Sequence, residues 1–423
     1  MKKYDNYKNS GVEWLGEIPE HWEALSNKFI FNLNKNLVGK KSSEYDLLSL
    51  TLNGVIKRDM ENPQGKFPAE FDTYQEVKRG DFIFCLFDVE ETPRTVGLSD
   101  FDGMITGAYT VMQVNKNFDK SFLYYFYLNL DAGKRMKPLY TGLRNTISKD
   151  NFFSFKTFVP PIQEQTAIAN FLDNKTTKID QAIAIKQQQI ALLQERRQIL
   201  IHKAVTRGLN ENVKLKDSGV EWIGEIPEHW EVKRAKYLFD EINERSLTGD
   251  EELLSVSHMT GVTPRSEKNV SMFEAEDYTG SKLCKKGDLV YNIMWAWMGA
   301  LGTSKQTGIV SPSYAIFRQK NKDNFNSWYL EQILKGINYL AHYNRVSTGL
   351  HSSRLRFYSN MFFEMSIAFP TKKEQDNIVE HLELVTTKIA TAISLKEQEI
   401  EKLKEYKMSL IDGVVTGKVR VIS

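Results

Sequence analysis

Carboxylates, histidines and cysteines are the side chains through which this chain could act as a catalyst, and their spacing offers little. Asp72, Glu76 and Lys78 follow the acid, acid, lysine order of a metal-dependent nuclease, but they lie in a polar stretch and read as a solvated surface. Val159-Pro160-Pro161-Ile162 has the central prolines of the loop with which amino-methyltransferases hold a flipped base, yet it lacks the polar and aromatic ends that this chemistry needs. No G-x-x-x-x-G-K-[ST] phosphate loop is present. The seven histidines form no H-E-x-x-H pair, and Cys85 and Cys284 stand far apart with no C-x-x-C, as core thiols in a reducing compartment would. The expectation is a chain that binds rather than reacts, with no metal or cofactor of its own.

The elements that would carry a binding surface come next. A length of 423 residues, 41% of them hydrophobic and 26% charged, fits two or three domains with real cores. The longest apolar runs fall short of the roughly eighteen residues of a membrane span, and the polar start MKKYDNYKNS is no signal peptide, so a cytoplasmic protein without membrane contact is expected. A net charge of +2 leaves the partner open.

Repetition is the stronger signal. SGVEWLGEIPEHWE at 10–23 returns as SGVEWIGEIPEHWE at 218–231, 208 residues on, with Leu15 replaced by Ile223. Further blocks follow in the same order: LLSLTLNGV (47–55) with LLSVSHMTGV (253–262), and VKRGDFIF (77–84) with CKKGDLVY (284–291). ITGAYTVM (105–112) then pairs with VSPSYAIF (310–317), and TGLRNTISKDNF (141–152) with TGLHSSRLRFYS (348–359). The first of these pairs read as strands joined by turns, the Gly-Asp supplying turn chemistry. Between the blocks the halves diverge: DVEETPRTVGLSDFDG (88–103) shares nothing with IMWAWMGALGTSKQTG (293–308). The opening segment, carrying Trp14, Ile18 and Trp22 and their equivalents Trp222, Ile226 and Trp230, is first a packing device and second a docking surface for a shared partner.

Each half closes in a long helix entered through VPPIQEQ (159–165) or FPTKKEQ (369–375), where proline marks the boundary. A heptad seam runs through Leu172, Ile179, Ile183, Ile190, Leu193 and Leu200, and again through Leu382, Ile389, Ile393, Ile400, Leu403 and Leu410. Each position stands 210 residues from its counterpart, including the basic interruptions Lys186 with Lys396 and Arg197 with Lys407. Two seams of equal phase predict an antiparallel coiled coil. The expected fold is α+β, with two pseudo-twofold-related α/β domains separated by the two helices. The boundaries are 1–160 for the first domain, 161–216 for the first helix and linker, 217–369 for the second domain, and 370–423 for the second helix and tail.

The repeated SGVEW-GEIPEHWE, the KGDLVYN and GIVSPSY blocks, the TGL segment, and PPIQEQ opening a helix that ends HKAVTRGL together resemble the specificity subunit of type I restriction-modification systems. The resemblance spans the whole chain. It implies two target-recognition domains that read the halves of an asymmetric, bipartite site on double-stranded DNA, with the helices setting the gap. It also implies partners: two modification subunits that methylate adenine N6 with S-adenosylmethionine, and two restriction subunits that use ATP and Mg2+. DNA contacts are expected in segments that differ between the halves or at adjacent turns. These are Lys57, Arg58, Arg94, Thr95, Arg144, Asn145 and Lys149 in the first half, and Arg265, Lys305, Arg345, His351, Ser352, Ser353 and Arg354 in the second. The competing readings are a duplicated coiled-coil adaptor that never touches DNA and, with less support, a stand-alone endonuclease.

Overall fold

The structure is a computed structural model describing residues 2–60, 70–268, 277–349 and 355–421, and each half of the sequence repeat builds one frame within its own unit. Unit 1 comprises residues 1–187 and 397–423; unit 2 comprises 188–396.

Unit 1 runs β1 (Tyr7–Asn9), β2 (Glu17–Pro19), β3 (Glu23–Ser26), β4 (Phe31–Leu33), β5 (Leu48–Thr51), β6 (Gly54–Lys57), β7 (Gln75–Val77), β8 (Phe82–Phe84), β9 (Val96–Leu98), β10 (Gly103–Ile105) and β11 (Thr110–Val114). It continues through α1 (Lys120–Ala132), α2 (Lys149–Ser154), β12 (Lys156–Val159) and the opening of α3 (Ile162–Arg207). Its main sheet is antiparallel, in the order β4-β11-β8-β9. The run Phe82-Ile83-Phe84 is apolar throughout because both faces of β8 are covered. Phe82 and Phe84 pack with Phe31, Tyr127 and Phe152 on one side, while Ile83 meets Leu48, Val55, Val77, Ile105 and Val111 on the other. The Gly-Asp turn before β8 needs its glycine, since Gly80 has φ +87°.

Unit 2 repeats this frame. After α3 come β13 (Leu215–Asp217), β14 (Glu225–Pro227), β15 (Glu231–Arg234), β16 (Phe239–Glu241), β17 (Leu254–Ser257), β18 (Gly261–Pro264), β19 (Lys282–Cys284), β20 (Leu289–Asn292), β21 (Leu301–Thr303), β22 (Gly308–Val310) and β23 (Tyr314–Gln319). They lead through α4 (Ser327–Leu334), α5 (Ile337–Val346), α6 (Ser359–Glu364) and β24 (Ser366–Phe369) to α7 (Lys372–Val415). The main sheet is β16-β23-β20-β21, in the same order as its counterpart. Leu289 and Tyr291 join the larger core of the unit, and Val290 joins a second one with Leu254, Val256, Cys284, Val310 and Ile316. Cys85 and Cys284 are free and buried, and burial pushes both thiols up.

The twelve seam residues of α3 and α7 are all buried or half-buried. In unit 1 the helices run antiparallel: Lys186 Nζ reaches Glu399 at 2.5 Å, and Lys407 Nζ reaches Asp180 at 2.7 Å. Two of the basic interruptions in the heptads thus answer carboxylates on the facing helix. In unit 2, Ile201, Ala204 and Val205 of α3 share a core with Ile378, Val379 and Leu382 of α7. No helix among the described residues is long and apolar enough to cross a membrane.

Candidate nucleic-acid interface

The repeated opening segment proves to be a latch. Trp22 is fully buried and its indole N–H donates to Glu164 Oε1 at 3.2 Å, while His21 Nε2 lies 2.7 Å from Glu164 Oε2. In unit 2, Trp230 and His229 hold Glu374 at 3.2 and 2.8 Å. Each glutamate sits in the first turn of a long helix, where the helix dipole favours negative charge. The adjacent glutamine completes the fastening. Gln165 accepts from the Asp119 backbone N–H at 3.0 Å and donates to the Pro160 carbonyl at 2.8 Å; Gln375 does the same with Asn326 and Pro370 at 2.9 and 3.0 Å. Asp119 and Asn326 are in turn the N-caps of α1 and α4. One Glu-Gln pair therefore ties the start of a long helix to the segment before it and to the helix that flanks the sheet.

On this fixed frame the insertions differ. In unit 1, the loop between β8 and β9 is braced by the hairpin closed by Thr141 and Thr146. Arg144 grips the Asp88 carboxylate with two nitrogens, its Nε at 2.9 Å, and its guanidinium lies over the Phe87 ring at 5.8 Å. That grip holds the Asp88 carboxyl below its ordinary range. Asn145 Nδ2 donates to Glu91 at 3.0 Å, and Lys137 pairs with Glu90 at 3.3 Å. Asp88 and Asn145 have φ of +46° and +42°, a region non-glycine residues seldom occupy, so the bracing holds backbone that is otherwise unfavourable. Leu143 stands fully exposed at the hairpin tip.

The other expected contacts of unit 1 divide. Lys57 is exposed at the end of β6, 2.5 Å from Asp46 and over the Phe101 ring. Arg58 follows it, half-buried, and Lys149 is exposed at the start of α2. Arg94 is half-buried and donates to the Leu52 carbonyl at 3.2 Å. Thr95 is a correction. It is wholly buried, with its N–H and hydroxyl bound to the Asp131 carboxylate at 2.9 and 2.6 Å, so neither group is left for DNA.

In unit 2 the equivalent insertion is aromatic. Trp295 and Trp297 lie nearly parallel with ring centroids 6.0 Å apart. Trp297 Nε1 donates to the Met294 carbonyl at 3.0 Å, and Gly299, at φ +85°, closes the turn. Arg265 follows β18, Lys305 is exposed in the turn after β21, and Arg345 is exposed in the last turn of α5, 3.4 Å from His342 Nδ1. Thr348 and Arg356 pair in an isolated antiparallel bridge. His351, Ser352, Ser353 and Arg354 lie outside the described residues.

The nuclease-like trio gathers no metal site. Glu76 bonds Asn36 and Tyr45, Asp72 bonds Ser42, and among the described residues no group of three or more His, Cys, Asp or Glu side chains could hold an ion.

Comparison with known proteins points the same way as the repeated motifs. Residues 95–195 match the profile of the type I restriction modification DNA specificity domain. The MjaVIII type I restriction enzyme specificity subunit of Methanocaldococcus jannaschii is 25% identical over 326 residues, covering 73% of this chain and 72% of that one. A second sequence from that organism, assigned as the specificity subunit of the MjaX enzyme, is 24% identical over 450 residues and matches 99% of this chain and 98% of its own. The chain is similar to the type I restriction-modification specificity subunits. Its fold agrees: a solved structure from work on complex assembly and conformational transition of the type I R-M system superposes with a TM-score of 0.64 at 14% identity, over 95% of this chain and 99% of that one. Specificity subunits are non-catalytic DNA-recognition components.

Two features of this chain escaped the sequence reading. The Glu-Gln latch stood in plain view within PPIQEQ and TKKEQ, and a Glu-Gln pair repeated at nearly the same offset from a repeated His-Trp, 142 against 144 residues from Trp to Glu, was the available signal. Trp295 and Met298, 42% and 40% exposed, lie in an insertion recognised as divergent, and two tryptophans within three residues marked it.

Proposed function

We propose that each unit of this specificity subunit reads one half of an asymmetric, bipartite DNA site and that the chain positions two modification subunits, and two restriction subunits in the full complex, on that site. The observation carrying this reading is the contrast within the duplication. The sheets and latches repeat, while the β8–β9 insertion is charged and the β20–β21 insertion aromatic. A shared frame suits a shared partner; unlike insertions suit unlike sequences. Lys57, Arg58, Arg94, Arg144, Asn145 and Lys149 on one unit, with Arg265, Lys305 and Arg345 on the other, supply phosphate anchors and base-edge donors, and binding falls steeply with salt. Adenine-N6 methylation with S-adenosylmethionine, and ATP- and Mg2+-dependent work, belong to the partner subunits.

The test is to express the chain with its modification subunit and map N6-methyladenine across the host DNA. A gapped, asymmetric motif methylated on both strands is expected. Replacing residues 20–158 with the corresponding segment of another specificity subunit should alter one half of the motif; alteration of both halves would refute modular reading. A stable, active complex with no motif would favour the adaptor.

A further inference from the structure

Unit 2 contains a cavity of about 720 Å³ that nothing above uses. Leu254, Val256 and Val310 line it from the second core, and Trp295 and Met298 line it from the aromatic turn while also meeting solvent. Trp295 is backed by the parallel Trp297 ring, and the turn is pinned by the Trp297 bond to the Met294 carbonyl and by the Met294 N–H bond to Asn292 Oδ1 at 3.0 Å. The lining is therefore a rigid apolar shelf.

Its polar groups are few and specific. Ser255 Oγ is buried, lines the cavity and has no hydrogen-bond partner. An unsatisfied buried hydroxyl costs free energy unless a ligand answers it. Asn292 presents an amide, Arg265 and His258 are the lining groups able to carry positive charge, and among the described residues no Asp or Glu lines the space. Flat aromatic walls, hydrogen-bonding edges and a cation that meets no carboxylate of the described lining together fit a nucleotide: a planar base with an anionic phosphate. Reading the edge of a paired base in a groove needs no such depth; a base withdrawn from the stack does.

We propose that this cavity receives a nucleobase unstacked from the half-site read by unit 2, with Trp295 against its face, Ser255 and Asn292 at its edge and Arg265 on its phosphate. The inference rests on the DNA-reading function proposed above. It is confined to unit 2. At the matching positions of unit 1, the rings of Phe87 and Tyr109 lie 6.2 Å apart, with Arg144 over Phe87.

The experiment uses the full chain assembled with its modification subunit and duplexes carrying the mapped motif, with 2-aminopurine placed in turn at each position of the unit 2 half-site. One position other than the methylated adenine should change fluorescence on binding, because the base leaves its stack. Trp295→Ala should abolish or invert that change and weaken cognate binding by roughly tenfold or more, leaving non-specific binding unaltered, while Trp295→Phe restores most of both. Ser255→Val should weaken cognate binding in the same direction. The inference is overturned if only the methylated adenine responds, if the response survives Trp295→Ala, or if that variant weakens cognate and non-specific DNA equally. A complex that binds DNA without any sequence preference would instead overturn the DNA-reading function, and this inference with it.

Discussion

Units 1 and 2 share a sheet order, a Gly-Asp turn and a Glu-Gln latch, yet they stiffen their variable loops by different physics. The unit 1 insertion is held by charged groups at the surface, Asp88 with Arg144 and Glu90 with Lys137. The unit 2 insertion is held by stacked indoles and main-chain hydrogen bonds. Ionic bracing weakens with salt and aromatic bracing does not, so the two loops should respond differently to the same solution. The difference extends to the Gly-Asp turn. Asp288 is clamped by Arg318 through two bonds of 2.8 Å, and Arg318 also reaches Glu244 at 2.6 Å. At the equivalent of Arg318 unit 1 has Gln113, and burial raises the Asp81 carboxyl above its ordinary range.

The comparison breaks most forcefully at the latch. Trp22→Ala and Trp230→Ala should each cost about 3–5 kcal/mol, measured by urea unfolding, because both indoles are buried on a helix-start glutamate. Equal losses support equivalent latches; a loss confined to one variant would show that the repeat has parted company with its function. Next, Arg318→Ala leaves Asp288 buried without its cation and should cost about 3 kcal/mol, whereas Gln113→Ala in unit 1 should cost well under half of that by the same assay.

Acid sharpens the contrast with opposite signs. Lys285 and then Arg318 hold the Glu244 carboxyl below its ordinary 4.5, so its contribution is present above that value and is lost as pH falls through the depressed folded pKa. Asp81, raised chiefly by burial, costs stability above its folded pKa, and that cost is relieved as pH falls through it. Unfolding followed from about pH 6 to 3 should therefore fall less steeply in Glu244→Gln than in the parent chain, and more steeply in Asp81→Asn. The smallest effects lie on the helices. Lys186→Ala and Lys407→Ala should each cost about 0.2–1 kcal/mol, diminishing in high salt. Lys396→Ala and Arg197→Ala should cost less, since Gln189 and Ala390 stand where the first set finds Glu399 and Asp180.

What could be read in advance was whatever repeats over a short distance. The strands β8 and β20 followed from their apolar runs, the turns before them from Gly-Asp, and the twelve seam positions from a seven-residue period. The remainder depends on partners far apart in sequence. Asp131 captures Thr95 across 36 residues, turning an expected surface hydroxyl into an internal one. Glu164 meets Trp22 across 142 residues, and Arg318 reaches Glu244 across 74. Spacing carries no trace of such pairs, and a lone Arg, Thr or Glu reads alike whether it ends in solvent or in a carboxylate clamp. The shelf at Trp295 was hidden for another reason: an aromatic pair in a divergent loop is equally compatible with a core.

The last turns of α7 have a consequence for the order in which the protein can assemble. Ile411, Val414 and Val415 are buried in the unit 1 core, Gly417 approaches so near Pro19 that a methyl group there would overlap the ring, and Lys2 pairs with Arg420. Unit 2 is one uninterrupted stretch of chain and can close as soon as residue 396 has left the ribosome. Unit 1, begun first, must wait with part of its apolar surface uncovered until the final twenty-odd residues arrive, which makes the earlier half of the message the later half to finish folding.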